Sequence, residues 1–431
     1  DLDMPHNQTF VLNVDRIFTG MGNDIPEPHS IVIENGKIKN IDLKSRITDS
    51  FKTITKLDYP DCTALPGLVD GHTHMMAPGD GTPGDDIVKD ADENLLIRAT
   101  HNAKLFLNAG VTTARENGAK NNVGFALQKA IRLGVTDGPD MVVCGRPISI
   151  TGGHMGYCGS EADGLDEIKK ETRKLIKQGA DFIKIMATGG STITSDPLKP
   201  SYTSEEMQLI VEEAHRVDKL TAAHCSSIKG IENALEAGVD MIIHCIFEDE
   251  TGMYNYREDL AETLVNAQAW VNPTLHIKIA GIEDIKKRGY KKGGLSKSEI
   301  LQLDNATQSL ENSLETVNRF SKIGVKMMAG SDSPWGAYPP GEFVKEILAL
   351  NRAGLSIYES LLTGTKHAAH SIGKGHVSGI LNVGRNADVL VVKGNPLINL
   401  SDLSNVKQVY KKGIPQYKKS KGYSGIHTEI K

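Results

Sequence analysis

The sequence lacks several features that would assign it to common protein classes. Its 431 residues hold five cysteines, an odd number without a CxxC pair, so no disulfide framework is indicated. No apolar run approaches the roughly 18 residues needed to span a bilayer. The net charge is −5, whereas surfaces that attract nucleic acid or anionic membranes are basic.

These shortages predict a cytoplasmic protein without nucleic-acid or membrane partners. The chain begins Asp1-Leu2-Asp3, with neither the basic nor the apolar stretch of a secretory leader. The hydrophobic fraction of 39% and the charged fraction of 24% are ordinary for a globular protein. With 431 residues, the chain is long for one domain and short for three.

The two ends of the chain have the pattern of short β-strands. Asn35-Gly36, between two such stretches, is a strong hairpin signal. We therefore expect both ends, residues 1–62 and 386–431, to pair into one composite β domain, a small β-sandwich that flanks a central domain. The strand-like stretches are 10–14, 30–34, 37–41, 387–392 and 406–410.

The central stretch, residues 63–385, alternates apolar runs with segments of helical period. Such alternation predicts parallel strands with crossover helices. Eight strand-plus-helix units over this length fit a closed (β/α)8 TIM barrel, of class α/β, better than an open sheet. The Lys- and Gly-rich stretch 278–297 is predicted as a loop or a lid. The strands are expected to begin near Ala64, Val111, Met141, Phe182, Thr221, Met241, Trp270 and Val325.

His72 and His74 end the first predicted barrel strand. Residues i and i+2 of a strand point to the same side, so both imidazoles project into the barrel mouth, where catalytic groups sit. Neutral imidazoles at this spacing can hold a zinc ion. Two histidines of a surface loop explain the pair equally well, so the pair alone does not decide.

Lys184 lies among large apolar residues on the fourth predicted strand. An unpaired buried ammonium is costly, so the lysine either snorkels, pairs with a carboxylate, or reacts with CO₂ to give a carbamate that bridges two metals. Strands five, six and eight end at His224, His244 and Asp332. A single buried histidine is usually a core residue, but this set at separate strand ends, beside an HxH, is typical of a metal site.

The motifs at these strand ends resemble those of the amidohydrolase superfamily. They are PGLVDGHTH, IKIMATGG, the two strand-end histidines and GSDSP, and VGRNAD at 383–388 resembles the return to the flanking domain. Within the superfamily, the sequence is most similar to binuclear dipeptidases and carboxypeptidases of the Xaa-Pro or Xaa-Arg type and to imidazolonepropionase relatives. The stretches TGGHMGYCG and ATGGSTITSDP carry this closer resemblance.

The resemblance implies two divalent metals, with zinc first among those that nitrogen and oxygen ligands allow. A hydroxide would bridge the metals, and Asp332 would act as the general base. The implied ligands are His72, His74 and Asp332 for the more buried metal, His224 and His244 for the more exposed one, and Lys184, as N6-carboxylysine, between them.

Three further residues are candidates for substrate contact at the barrel mouth. His154, in a Gly-rich loop, is expected to donate to a substrate carbonyl or carboxylate, and a loop histidine bonded to the backbone is the alternative. Arg115 and Arg146 lie near the ends of strands two and three, and either can fork a substrate carboxylate. Internal pairing with Glu116 or Asp140 is an equal alternative for the two arginines.

Other candidate positions follow strands four, five and seven. The Gly189-Gly190 pair is expected to allow either close backbone approach to substrate or an unusual φ angle. Ser226 stands where related enzymes often carry a tyrosine, which leaves activation of the carbonyl to another donor such as His154. His276 is expected to line the substrate pocket.

The predicted reaction is hydrolysis of an amide bond in a small molecule, either a dipeptide or an N-acyl amino acid, by a homo-oligomer such as its relatives form. A single-metal deaminase or cyclic-amide hydrolase of the same superfamily is the alternative, but those enzymes typically lack the strand-four lysine. A third possibility is a non-catalytic scaffold on the same barrel. Such scaffolds have usually lost ligands, whereas all six positions here carry competent residues.

Overall fold

The computed structural model describes residues 9–22, 27–50 and 54–416, with the side chains of 48–50 excepted. The outer parts of the predicted end domain, including the first three residues, lie outside this range. The strands are β1 (Thr9–Ile17), β2 (His29–Glu34), β3 (Lys37–Leu43), β4 (Thr55–Pro66), β5 (Leu68–Thr73), β6 (Val111–Glu116), β7 (Asp140–Val143), β8 (Phe182–Met186), β9 (Leu220–His224), β10 (Met241–Ile243), β11 (Trp270–Asn272), β12 (Lys326–Met327), β13 (Val389–Lys393), β14 (Val406–Lys411) and β15 (Ile414–Pro415).

Helices separate most of the central strands, as the alternation in the sequence predicts. They are α1 (Lys44–Ser50), α2 (Gly84–Ile87), α3 (Asp92–Asn108), α4 (Val123–Arg132), α5 (Gly164–Gln178), α6 (Ser204–His215), α7 (Ile228–Glu236), α8 (Glu258–Asn266), α9 (Leu275–Lys292), α10 (Lys297–Ile323), α11 (Val344–Arg352), α12 (Ile357–Thr363) and α13 (Lys366–Ser371). None of these described helices is both long and apolar enough to cross a membrane.

A seven-stranded mixed sheet combines both ends of the chain in the order β15-β14-β13-β4-β1-β2-β3. Successive strand side chains alternate between the two faces of a sheet. Phe10, Leu12 and Val14 of β1 accordingly face a core that they share with Val389 and Val391 of β13. Pairing between the two ends, expected from their strand patterns, is therefore present.

The first central strand begins later than predicted. Ala64 and Leu65 still pair with β13, so they belong to the end sheet, and β5 starts only at Leu68. A single residue, Gly67, separates β4 from β5, so the chain passes directly from one sheet into the other. An apolar run crosses this junction without a break, and hydrophobicity alone therefore gives no boundary.

The eight central strands run parallel in two sheets, β5-β6-β7 and β12-β11-β10-β9-β8. Backbone hydrogen bonds join these sheets along both open edges. Near β7 and β8, the Ile148 N–H donates to the Lys184 carbonyl over 2.9 Å; on the other edge, the Asp332 N–H donates to the His72 carbonyl over 2.8 Å. The two sheets are therefore linked at both edges, and the carboxyl ends of their strands lie on one rim.

Residues 278–297 were expected to be a loop or a lid, and the loop prediction is wrong because most of the stretch is helical. Most of the stretch belongs to α9, and α10 begins at its end. Ile282, Ile285 and Gly289 are buried along one side of α9, and Ala280 is buried on the opposite side. Lys286, Lys287, Lys291 and Lys292 are exposed, and their number hides the helical period of the apolar residues.

Candidate metal centre and its pocket

His72, His74 and Asp332 converge at the shared rim of the strands. The Nε2 atoms of the two histidines lie 3.2 Å apart, and each lies 3.3 Å from Oδ1 of Asp332. All three side chains are buried. Two imidazole nitrogens and a carboxylate oxygen at these distances form a candidate site for a divalent cation.

The other ring nitrogen of each histidine is held by a protein oxygen. His72 Nδ1 lies 2.9 Å from Oδ1 of Asn272, and His74 Nδ1 lies 2.9 Å from the carbonyl oxygen of Gly118. An acceptor at Nδ1 fixes the proton there and leaves the Nε2 lone pair for a metal. The residues present therefore fit a metal ion in their donor chemistry and in the orientation of their rings.

Asp332 is ionised in this setting. Burial disfavours its charge, but the adjacent imidazoles of His72 and His74 outweigh that penalty and hold the pKa of the carboxyl well below its usual range. Burial lowers the pKa of His72 well below its usual value, whereas at His74 the contact with Asp332 outweighs burial and raises the pKa of that imidazole. A neutral imidazole and an ionised carboxylate are the forms that bind metals.

Lys184 lies in the middle of β8, is 1% exposed, and lines the same pocket. Among the described residues, no hydrogen bond or ion pair reaches its amine, so the paired and snorkelling alternatives receive no support. Burial lowers the pKa of Lys184 to about 7, although the nearby Asp332 opposes the shift. More of this lysine is therefore an uncharged, nucleophilic amine at neutral pH than of an ordinary exposed lysine.

His224 and His244 lie next to each other across the pocket, with ring centroids 4.6 Å apart. His224 Nε2 is 3.0 Å from the carbonyl oxygen of Gly189, which leaves Nδ1 available. His244 Nδ1 is 2.6 Å from Oγ1 of Thr274, which leaves Nε2 available. Ser226 is the residue that stands where a tyrosine was expected from related enzymes. Its hydroxyl oxygen lies 3.0 Å from His224 Nε2.

Two candidate ligands have left-handed backbone conformations that non-glycine residues rarely adopt. The φ angles of Asp332 and His244 are 62° and 63°. Their N–H groups donate to the carbonyls of His72 and Asn272, each over 2.8 Å, which holds the strained backbone in place. Strain of this kind costs of order 1–3 kcal/mol per residue and is concentrated at functional sites.

His154 lies in the same pocket, with its ring centroid 4.6 Å from that of His224. The Thr192 hydroxyl accepts the N–H of Met155 over 3.0 Å and lies 2.9 Å from His154 Nδ1. Burial lowers the pKa of His154 to about 3, so its imidazole is neutral. Gly190 packs against this ring so closely that a Cβ there would overlap it.

The two glycines after β8 lie where a side chain would not fit. A Cβ at Gly189 would overlap the backbone of Asp196, and neither glycine has a positive φ. Close backbone approach does occur, but toward the chain's own loop and toward His154 rather than toward open pocket space. Gly190 alone of the two lines the pocket.

Arg115 and Arg146 were expected near substrate, and both lie away from the pocket. Arg115 is buried beneath the rim, donates to the Gly71 carbonyl over 2.8 Å and covers the ring of Phe182. Arg146 donates to Ser160 and pairs with a glutamate of α5. Among the described residues, no ion pair joins either arginine to Glu116 or Asp140, the alternative partners; Asp140 pairs with Lys411 and Lys412 instead. An arginine side chain near a strand end is long enough to turn back into the protein interior. The position of the residue along the strand therefore does not show where its guanidinium lies.

His276 also differs from its expected position. The backbone N–H of His276 donates to the carboxylate of Glu346 over 2.6 Å, and the imidazole ring packs against Tyr338. Residues 275–292 form a helix, so adjacent side chains point about 100° apart. Ile277, the next residue, lines the pocket instead.

Several residues that support the site were not singled out from the sequence. Asp70 accepts the N–H groups of His72 and Ser331 and the hydroxyl of Ser331, which ties the two ligand-bearing strand ends together. Asn272, in β11, holds Nδ1 of His72, and Thr274, in the turn after β11, holds Nδ1 of His244. In the sequence, Asp70 stands two residues before His72 on the same strand. A carboxylate at that spacing on a buried strand was the signal that could have indicated its supporting role.

An α/β fold whose parallel strands bring a His-His-Asp group to one rim defines a class, that of candidate metal-dependent enzymes. The sequence profile of the amidohydrolase family matches residues 63–415, so the chain belongs to the amidohydrolase family. This membership confirms the resemblance that the strand-end motifs indicate. The chain is accordingly a hydrolase that acts on carbon–nitrogen bonds.

Similar proteins agree with this assignment. The ochratoxinase of Aspergillus niger is 26% identical over 415 residues, which cover 88% of this chain and 80% of that protein. The probable imidazolonepropionase of Xenopus tropicalis is 23% identical over 86% of this chain and 84% of its own length. The crystal structure of a Xaa-Pro dipeptidase with bound methionine has a TM-score of 0.81 and 25% identity, and the match covers 95% of this chain and 99% of that one.

Proposed function

We propose that the protein is a metal-dependent hydrolase that cleaves the amide bond of a dipeptide or an N-acyl amino acid, in the manner of dipeptidases, carboxypeptidases and prolidases. The observation that carries the proposal is the convergence of His72, His74 and Asp332 in the pocket that Lys184 also lines. We further propose that residues 63–385 form a closed (β/α)8 barrel, and that 1–62 with 386–431 form a flanking β-sandwich domain.

Two divalent metals fit the donors that face the pocket. Zinc suits these nitrogen and oxygen ligands, which also tolerate manganese, cobalt or iron. When bound, two such cations lower the pKa of a water and polarise the scissile carbonyl. The residues that would hold them are His72, His74 and Asp332 at one position, His224 and His244 at the other, and Lys184 between the two.

Lys184 becomes a ligand through a change in its own chemistry. Its uncharged amine attacks CO₂, a nitrogen–carbon bond forms, and the proton leaves to solvent. The product is an anionic carbamate with two oxygens at the end of the side chain. The shift of the Lys184 pKa to about 7 supports this step, because the free amine is the reactive form.

Asp332 and His154 perform the proton and charge chemistry on the substrate. The ionised Asp332 accepts the proton of the attacking water and passes it to the leaving amine. Thr192 Oγ1 accepts the backbone N–H of Met155 and lies 2.9 Å from His154 Nδ1. We propose that its hydroxyl donates to that nitrogen, which puts the imidazole proton on Nε2. That N–H donates to the substrate carbonyl oxygen as negative charge develops there.

The relatives support an amide substrate and also supply the second candidate. Similarity to a Xaa-Pro dipeptidase favours the dipeptide or N-acyl class. Similarity to an imidazolonepropionase favours a cyclic amide, with a deaminase as its variant. Lys184 weighs against the second candidate, since single-metal enzymes do not require a bridging ligand at that position.

A substrate panel tests the proposal. Zinc-loaded protein is incubated with N-acyl amino acids, dipeptides and cyclic amides, and the products are resolved by mass spectrometry. We expect release of a free amino acid from the first two classes; ring opening of cyclic amides alone would support the second candidate instead. Asp332→Asn should keep the fold and lose turnover, whereas Asp249→Asn, at a solvent-facing carboxylate, should keep both. Full activity of Asp332→Asn would remove Asp332 from the mechanism.

A further inference from the structure

Thr274, directly before α9, has a backbone conformation that is unusual for its residue type. Its φ and ψ angles are 50° and 53°, in the left-handed region that β-branched residues rarely adopt. Its hydroxyl donates to the Pro273 carbonyl over 2.8 Å, and its Oγ1 atom lies 2.6 Å from His244 Nδ1. The whole residue is buried. The strained turn therefore brings one hydroxyl oxygen against one candidate metal ligand.

This hydroxyl bears on which nitrogen of His244 is free. A threonine hydroxyl has a single proton, and the contact with the Pro273 carbonyl uses it. Oγ1 then faces His244 Nδ1 with a lone pair, which favours the tautomer that carries its proton on Nδ1. That tautomer leaves the Nε2 lone pair for a metal.

A buried glutamate of α11 fixes the start of α9. The two carboxyl oxygens of Glu346 accept the N–H of Leu275 over 2.9 Å and the N–H of His276 over 2.6 Å. These N–H groups belong to the first turn of α9 and have no partner within the helix. Burial raises the pKa of Glu346 to about 8, so its role rests on two acceptor oxygens and not on a full negative charge. Thr274 is therefore held from the helix that follows it.

We propose that Glu346 and Thr274 are positioning residues of the metal centre, which hold His244 in the tautomer and orientation that bind the more exposed metal. The inference rests on the proposed binuclear centre and goes beyond it, since neither residue lines the pocket. It concerns one metal position only. The histidines of the other position have different hydrogen-bond partners at Nδ1.

A pair of substitutions at Thr274 isolates the hydroxyl. Thr274→Val keeps the branched shape and loses the oxygen, whereas Thr274→Ser keeps the oxygen and loses the methyl group. Zinc is titrated into metal-free protein in the presence of bicarbonate, and binding is followed by calorimetry. In Thr274→Val we expect one of the two zinc ions to bind about 10–100-fold less tightly and the other to bind unchanged. Thr274→Ser should bind both ions as the unsubstituted protein does.

Glu346→Gln tests the second positioning residue. Glutamine keeps one acceptor oxygen and sets an NH₂ group against the second N–H, so the same zinc ion should bind more weakly. The double variant with Thr274→Val should bind that ion no more weakly than Thr274→Val alone, because both residues act through one imidazole. Glu206→Gln is the control: Glu206 accepts the N–H of Thr203 at the start of α6, and its loss should leave both ions unaffected.

Each outcome bears on a different claim. Unchanged affinity for both ions in Thr274→Val would overturn this inference and leave the proposed hydrolase function intact. Equal weakening of both ions, additive losses in the double variant, or a loss in Thr274→Ser as large as in Thr274→Val would show a general structural role and would also overturn it. Binding of fewer than two zinc ions by the unsubstituted protein would contradict the binuclear centre itself.

Discussion

Replacing Asp70 by asparagine should weaken metal binding without any change to a candidate ligand. Asp70 Oδ1 accepts the N–H groups of His72 over 3.1 Å and Ser331 over 2.9 Å, and Oδ2 accepts the Ser331 hydroxyl over 2.6 Å. Ser331 directly precedes Asp332. The carboxylate of Asp70 therefore joins the end of β5, where His72 lies, to the segment after β12, where Asp332 lies. This link keeps His72 and Asp332 close together.

The magnitude follows from the hydrogen bonds. Asparagine keeps one acceptor oxygen, but it sets an NH₂ group against a donor. Burial raises the pKa of Asp70 to about 7, so the magnitude rests on the lost acceptor and not on a full negative charge. Each buried group left unsatisfied costs about 1–3 kcal/mol, so we expect the unfolding free energy to fall by about 2–4 kcal/mol. Loss of outer support for metal ligands typically weakens metal affinity by about 10–100-fold.

Two assays separate the effects. Urea denaturation measures the unfolding free energy, and competition with a coloured chelator measures zinc affinity. Asp249→Asn is the matched control, because Asp249 also accepts two backbone N–H groups and one hydroxyl but faces solvent. It should change stability by less than about 1 kcal/mol and leave zinc affinity unchanged. Wild-type zinc affinity in Asp70→Asn would refute the reasoning.

Three further predictions concern other parts of the molecule. Lys184→Ala should abolish activity, with partial recovery on adding short carboxylic acids; unaided activity would contradict the carbamate. Gly190→Ala should displace His154 and lower kcat by about 100-fold, whereas Gly281→Ala, where a Cβ meets nothing within 4 Å, should not; equal rates would exclude a role for His154. Hydrogen bonds from two arginines lower the pKa of Glu213 to about 2, so the stability it contributes is present above pH 4.5 and lost towards pH 2. In denaturation at pH 7 and at pH 2, the unfolding free energy of Glu213→Gln should be about 1 kcal/mol lower than that of the unsubstituted protein at pH 7 and equal to it at pH 2. A difference that does not depend on pH would contradict this.

The strand ends were readable from the sequence because two simple rules apply to them. Alternation along a strand puts His72 and His74 on one side, and parallel strands bring their carboxyl ends to one rim. These rules require no knowledge of loops. Lys184, His224, His244 and Asp332 were accordingly expected around the same pocket, and all four line it.

The substrate candidates on long side chains and on helices were not readable in the same way. A strand position fixes the direction of Cβ, but four further bonds decide where the guanidinium of Arg115 or Arg146 lies. For His276, the unforeseen helix α9 turned the imidazole away and Ile277 inward. The supporting contacts of Asp70 and Asn272 depend on which strands become neighbours, and pairing in space is not encoded by local periodicity.

The number of divalent metal ions held per chain tests the central claim most directly. The protein is loaded with zinc in the presence of bicarbonate, freed of unbound metal by gel filtration, and analysed for zinc and protein in the same sample. The binuclear centre predicts about two zinc ions per chain. One ion per chain, or none, would contradict it.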